Sequence, residues 1–383
     1  MTTLASPKLE RSLCARAKAA TVGAVSAAIA AVIAACGGGP PPAAPSSVPV
    51  QLTPVAVSAD WPAASPESEG VNSQTILDLV TRIRRGEYGS VTSLLIARHG
   101  QLVVEEYFGW SASRAHTVQS VTKSVTSLLT GIAVDQGRLS VGDRVVDFFP
   151  SYQPIANLDD RKRAMTVRDL LMMETGLAWS EASYTGSPLQ RLNDCQCDWL
   201  RFVLDWPMRE SPGTRWEYVS GGVIVLGGIV GAATGQRIDL MAADRLLGPL
   251  GMQATSWISG LPNGLPHSGG GLYLRPRDMA KIGQLVADGG RWRGNQIVSE
   301  SWIRESVQPR LLNVRTFGAL QADYGYLWWT LPRGVITASG AQGQWIFVVP
   351  AAGLVVVTTG ESDSNFLSGP TFLYGQILPA IAS

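Results

Sequence analysis

The sequence predicts an α+β fold: an antiparallel sheet flanked by helices, built from both chain ends, with a mostly helical subdomain inserted between them. Three observations carry this. Strand-like runs occupy residues 93–98 and 102–108 on one side of the chain, and 324–330, 335–339, 344–349 and 354–359 on the other. His99-Gly100-Gln101, Pro332-Arg333-Gly334 and Ala351-Ala352-Gly353 are tight turns between neighbouring runs, which makes the pairs antiparallel. From about 139 to 267 the pattern changes to helix and loop.

The N-terminal stretch is set aside first. Lys8, Arg11, Arg16 and Lys18 precede an uncharged, alanine-rich run over 19–35, and Cys36 follows Ala35. Basic, apolar and small residues in that order form a secretory signal peptide, assigned to 1–36. Cys36 resembles the lipidated cysteine of bacterial lipoproteins, which implies a membrane-tethered, exported protein at the periplasm or cell surface. Plain secretion and an uncleaved anchor are the alternatives, since 17 residues is the lower edge of a spanning helix. Residues 37–60 are rich in Gly, Pro and Ala and read as a flexible tether. The remaining 61–383 form the folded domain, with its sheet-bearing part at about 61–138 and 268–383 and its helical insert at about 139–267.

Charge excludes one class of partner. The chain carries +1, the leader accounts for +3 of it, and −2 remains without any basic stretch, so nucleic acid is not expected. Twelve tryptophans, all beyond the leader, point to a well-filled core and an aromatic-lined cleft. Cys195 and Cys197 suit an oxidising compartment as a local disulfide or as two thiols, and a C-x-C without neighbouring His or Cys is a poor metal site.

The elements follow in order. Asn72 or Ser73 caps a helix running through Ile76, Leu79, Val80 and Ile83 to Gly86. After the first hairpin, Val121, Val125, Leu128, Leu129 and Ile132 recur at helical spacing and Gly137 ends the run, so one face is expected to be buried with Ser120 and Lys123 at its mouth. Residues 166–173 and 197–204 read as short helices, and 221–234, apolar all round, as a buried helix whose glycines admit close neighbours. Pro276 opens a helix through Met279, Ile282, Leu285 and Val286. Residues 366–381 close the chain as a helix.

Chemistry enters at Ser120-Val121-Thr122-Lys123. The chain has five lysines, and the residues three before the other four are Ala5, Ala15, Asp159 and Asp278, so only Lys123 follows a serine at that spacing. Three helical residues rise about 4.5 Å and turn about 300°, placing both side chains on one face. A serine hydroxyl attacks a carbonyl only after a base takes its proton, and a lysine held close and partly desolvated is such a base.

With these motifs in hand, the chain resembles the penicillin-recognising, β-lactamase/transpeptidase-like serine hydrolases, on the class C and esterase side. The resemblance covers about 61–382 and is carried by 120–129, 169–177, 212–220, 270–278 and 343–350. It implies that Tyr218-Val219-Ser220 is the second motif, placing the Tyr218 phenol beside Ser120 and Lys123 as a proton carrier and Ser220 against Lys123 or substrate. The third motif, usually Lys-Thr-Gly or His-x-Gly, corresponds to Ala338-Ser339-Gly340 and has no cation at its first position. The resemblance implies an oxyanion hole from the backbone N–H groups of Ser120 and Ala341, beside Gly340. Tyr-x-Ser with a Gly-Ala-x-Gly-Gln turn resembles the 6-aminohexanoate-dimer hydrolase and family VIII-type carboxylesterase branch, with Trp179 and Tyr184 expected to line the substrate pocket.

Other layouts fit less well. There is no G-x-S-x-G elbow and no G-x-G-x-x-G loop. His99 falls in a turn, His116 stands four residues before Ser120, and His267 is a pocket-rim residue, each structural rather than catalytic. The expectation is therefore an ester or amide hydrolase acting through an acyl-enzyme on Ser120, needing no cofactor and no metal, with a small-molecule substrate, a lipid anchor at Cys36 and no protein partner inferred. The rivals are a β-lactamase or D-Ala-D-Ala carboxypeptidase on the same fold, and a binding or sensor module without turnover.

Overall fold

The computed structural model describes residues 51–56, 60–253, 255–260 and 263–381; the signal peptide, Cys36 and most of the tether lie outside the described residues. Asn72 caps α1 (Ser73–Arg84) by accepting from the Thr75 N–H at 2.9 Å. Strands β1 (Val91–Arg98) and β2 (Gln101–Tyr107) form the first hairpin. His99 and Gly100, both at positive φ, make its two-residue turn. Helices α2 (Val121–Asp135), α3 (Ser220–Thr234), α4 (Pro276–Ala287) and α5 (Glu300–Val307) follow. The C-terminal strands are β3 (Leu311–Phe317), β4 (Leu320–Tyr324), β5 (Trp329–Leu331), β6 (Val335–Gly340), β7 (Gln344–Val349) and β8 (Leu354–Gly360).

These eight strands form one sheet in the order β2-β1-β8-β7-β6-β5-β4-β3. Its paired strands are antiparallel throughout and come from both chain ends, as the patterning predicts; the early hairpin docks on the last strand. Alternation along β7 explains why both faces are covered. A Cβ on Gly369 would stand 2.6 Å from Trp345, so the C-terminal helical segment rests on the Trp345 and Phe347 face. A Cβ on Gly283 would stand 2.9 Å from Ile346 and 2.5 Å from Val355, so α4 lies on the opposite face. Between 139 and 267 the chain carries helices Asp160–Ala164, Val167–Leu171, Pro188–Asp194, Trp199–Leu204, α3 and Ile238–Ala242.

Three expectations need correction. α2 is buried all round rather than on one face, because its polar side chains bind carbonyls of neighbouring loops. Ser124 Oγ donates to Leu327 O at 2.7 Å and Thr126 Oγ1 to Ser268 O at 2.8 Å, so packing and hydrogen bonding replace a solvent face. The expected strand over 324–330 is two strands, β4 and β5, interrupted at Gly325–Trp328, where Leu327 has φ 62° and its N–H donates to Leu171 O. The last helix runs without a gap but only over 368–380, and its pattern passes from α (Ser368–Phe372) through π (Leu373–Ile377) to 3-10 (Leu378–Ala380), with Pro379 in its final turn. Strand β3, at the sheet edge, has no counterpart in the sequence reading. Cys195 and Cys197 are disulfide-bonded, S–S 2.07 Å.

Candidate active site

Ser120 is the N-cap of α2, and Gln119 before it takes φ 49°, turning the chain sharply into the helix. Lys123 lies one turn on and is only 2% exposed. Its Nζ donates to Ser120 Oγ at 2.9 Å and to Gly269 O at 2.5 Å. The lysine is thus fixed on the nucleophile by a carbonyl from the loop between the insert and α4.

Tyr218 arrives from the segment before α3. That segment is pinned by Glu217 N–H to Met173 O at 2.9 Å and by Val219 N–H to Met173 Sδ at 3.3 Å. The Tyr218 ring stacks on Trp329 with centroids 6.2 Å apart, and Lys123 Nζ stands 4.7 Å from its centroid. Hydroxyl and amine are thus both carried by the start of α2, and the segment before α3 brings the Tyr218 ring beside the amine.

The end of β6 closes the site from the sheet side. A Cβ on Gly340 would stand 2.4 Å from Val118 O and 3.0 Å from Gln119 Cβ, so glycine lets the strand abut the chain entering Ser120. Ala341 follows at the start of the turn Ala341–Gly343. Ser120 and Ala341 both border the hollows at this point, each at the start of a helical turn.

Two hollows meet at the nucleophile, and Ser120, Glu181 and Ala341 border both. One, of 360 Å³, is a cleft walled by Tyr218, Arg315, Trp329, Ser339 and Gly340. The other, of 560 Å³, is lined by Lys123, Tyr184, Ser220 and His267 among others. A further hollow of 500 Å³ between Leu52, Leu77 and Val103 has neither lysine nor histidine in its lining. Among the described residues no group of three His, Cys, Asp or Glu is placed to hold a metal.

The remaining expected site residues divide. Tyr184 lines the larger hollow and is 54% exposed. Trp179 does not line either hollow: it is fully buried, against Gly221, where a Cβ would stand 2.6 Å from its ring. Its Nε1 donates to Glu181 Oε1 at 2.6 Å, so it braces the site from behind. Ser220 borders the larger hollow, but its hydroxyl donates to Glu181 Oε2 at 2.8 Å rather than contacting Lys123. Glu181 Oε1 also accepts from Ser220 N–H at 2.6 Å, capping α3. Nothing in the sequence singles out Glu181, a lone carboxylate in a loop.

His267 forms wall rather than rim. It is buried, with Nε2 3.2 Å from Asn193 Oδ1 and its ring edge-on to Trp199. Burial first, and the Lys123 charge second, lower its pKa to about 4, so it is a neutral imidazole at ordinary pH. His116 borders neither hollow; Nε2 is 3.1 Å from Thr92 Oγ1 and burial lowers its pKa. His99, exposed, meets Glu69 Oε2 at 2.9 Å.

A hydroxyl bonded to a buried lysine beside a tyrosine ring marks a serine hydrolase site on a β-lactamase-like fold. The beta-lactamase family model matches residues 87–365, and the chain belongs to that family. It is 22% identical over 326 residues to the 6-aminohexanoate-dimer hydrolase of Paenarthrobacter ureafaciens, covering 80% of this chain and 82% of that one. It is 28% identical over 252 residues to esterase EstB of Burkholderia gladioli, covering 60% of this chain and 62% of that one. The solved structure of EstCE1, a hydrolase with promiscuous acyltransferase activity, superposes with a TM-score of 0.68 at 17% identity, covering 83% of this chain and all of that one.

Proposed function

We propose that this serine hydrolase cleaves ester or linear amide bonds through an acyl-enzyme on Ser120. The observation carrying this is the 2.9 Å hydrogen bond from Lys123 to Ser120 Oγ at the junction of the two hollows. Lys123, with Tyr218, takes the Ser120 proton as Oγ attacks the carbonyl. The backbone N–H groups of Ser120 and Ala341 hold the oxyanion. Tyr218 hands a proton to the leaving group, and water then releases the acid and restores Ser120.

The kinship with a 6-aminohexanoate-dimer hydrolase and an esterase supports this bond class. The absence of a cation at Ala338, the first position of the third motif, favours it over β-lactam or D-Ala-D-Ala substrates. The signal-peptide pattern ending at Cys36 supports export and a lipid tether. A panel of short-chain nitrophenyl esters, linear amides and a chromogenic cephalosporin tests the reading. Esters or amides should be turned over well above the cephalosporin; the reverse order would overturn it.

A further inference from the structure

We infer that the Cys195–Cys197 disulfide is a specificity-determining clip: it fixes one wall of the acyl hollow, and its reduction by a dithiol relaxes the preference for acyl groups that fill that hollow. The inference rests on the proposed acyl-enzyme reading and adds which residues select the acyl group. Tyr218 borders the smaller cleft and not the larger hollow, whereas Lys123 and Ser220 border the larger. A leaving group protonated by Tyr218 therefore departs into the cleft, and the acyl chain occupies the larger hollow.

The disulfide closes almost no loop. Its cysteines are two positions apart, so the bond restricts the unfolded chain little and its effect is local. It lies in the link between two helices of the insert. Cys195 ends Pro188–Asp194, its N–H donating to Arg191 O at 3.2 Å, and Asp198 caps Trp199–Leu204 by accepting from the Leu200 N–H at 2.9 Å. Among the described residues Gln196 and Cys197 make no hydrogen bond, so the disulfide is what fixes this link.

Both arms of the clip converge on His267. Asn193, two positions before Cys195, has its Oδ1 3.2 Å from His267 Nε2, and its Nδ2 stands 3.5 Å from the Tyr184 hydroxyl. Trp199, two positions after Cys197, meets the His267 ring edge-on with centroids 5.3 Å apart. All four residues line the larger hollow. Trp199 and His267 are buried and held by packing, whereas Asn193 and Tyr184 are exposed, so the exposed side of the wall keeps its place through the link and the Asn193–His267 contact. An aryl-alkyl acyl chain packs against these aromatic rings, while an acetyl group at Ser120 fills little of a 560 Å³ hollow.

Both cysteines are half-buried, within reach of a small dithiol. A thiolate of the reductant attacks one sulfur, the S–S bond breaks and a mixed disulfide forms, which the second thiol of the reductant then displaces. Two electrons and two protons pass to the pair, leaving two cysteine thiols and the reductant as a cyclic disulfide. The freed link lets Asn193 and Tyr184 draw away from His267, and the wall loses its fixed shape.

The test compares 4-nitrophenyl acetate with 4-nitrophenyl 4-phenylbutyrate, which share a leaving group and differ in how much of the hollow the acyl chain fills. Their kcat/KM values are measured on the oxidised protein and after reduction by dithiothreitol and its removal, with the freed thiols located by peptide mass analysis. Reduction should lower the phenylbutyrate-to-acetate ratio about tenfold, mainly through KM for the phenylbutyrate, with the acetate little changed. Reoxidation should restore the ratio, and Cys195→Ser/Cys197→Ser should show the low ratio with or without prior reduction. An unchanged ratio in wild type with both thiols free, a disulfide that dithiothreitol does not open in the folded protein, an equal loss for both esters, or a double variant with the oxidised wild-type ratio would overturn the clip alone. Wild type that hydrolyses neither ester, or Ser120→Ala that hydrolyses both at the wild-type rate, would overturn the underlying hydrolase reading.

Discussion

Lys123 Nζ contacts two oxygens from separate parts of the chain, Ser120 Oγ at 2.9 Å and Gly269 O at 2.5 Å. The second contact holds the amine in place when its bond to the serine changes. Lys123→Ala should therefore abolish acylation, and Lys123→Arg should not restore it, because the longer planar fork does not fit between those oxygens. Burst kinetics with a nitrophenyl ester would check this.

Tyr218→Phe removes one oxygen and keeps the stack on Trp329, so the fold should survive. Loss of a proton carrier should lower kcat about 10²- to 10⁴-fold, with KM little changed. The loss should be smaller for esters with acidic leaving groups, which need no proton on departure. A uniform loss across leaving groups would make Tyr218 a packing residue.

Glu181→Ala should act on stability as well as rate. It strands three donors: Trp179 Nε1, Ser220 N–H and Ser220 Oγ. Unmade hydrogen bonds of this kind cost about 1–3 kcal/mol, and thermal unfolding would register the fall. Glu181→Gln accepts some of the same bonds and should recover part of it.

Gly340→Val places a branched side chain where even a Cβ would lie 2.4 Å from Val118 O. The strand end must retreat from Gln119, carrying Ala341 away from the oxyanion position. Overpacking of this kind costs roughly 1–3 kcal/mol, and kcat should fall further than stability alone accounts for.

His267 gives the pH dependence a sign. In the folded protein it takes a proton only near pH 4, whereas an unfolded histidine does so near pH 6.5. The unfolded chain thus binds more protons between these values, and stability declines as pH falls from about 6.5 to about 4, by up to roughly 3 kcal/mol. The stability advantage of wild type over His267→Gln should shrink across that window. Parallel denaturation profiles for the two proteins would exclude the effect.

The sheet's two-ended construction, the helix behind Ser120 and the Tyr218 segment were legible because each has a local pattern: strand runs with tight turns, helical spacing and two short motifs. Trp179 was misplaced because its location depends on Gly221, which admits the indole into the core and away from the pocket. α2 looked amphipathic because serine and threonine normally face water; here loop carbonyls meet them. Glu181 and Arg315 come to border the cleft at Ser120 only through the tertiary fold. One lies in a loop, and the other on an edge strand where exposed residues blur the alternation that marks a strand.

In the proposed reaction Ser120 Oγ carries the acyl group. Intact-mass and peptide analysis after rapid quench with a short-chain nitrophenyl ester tests it most directly. One acyl increment should appear on the peptide containing Ser120 and be absent from Ser120→Ala, which should also be inactive. An acyl group on any other residue, or full turnover by Ser120→Ala, would contradict it.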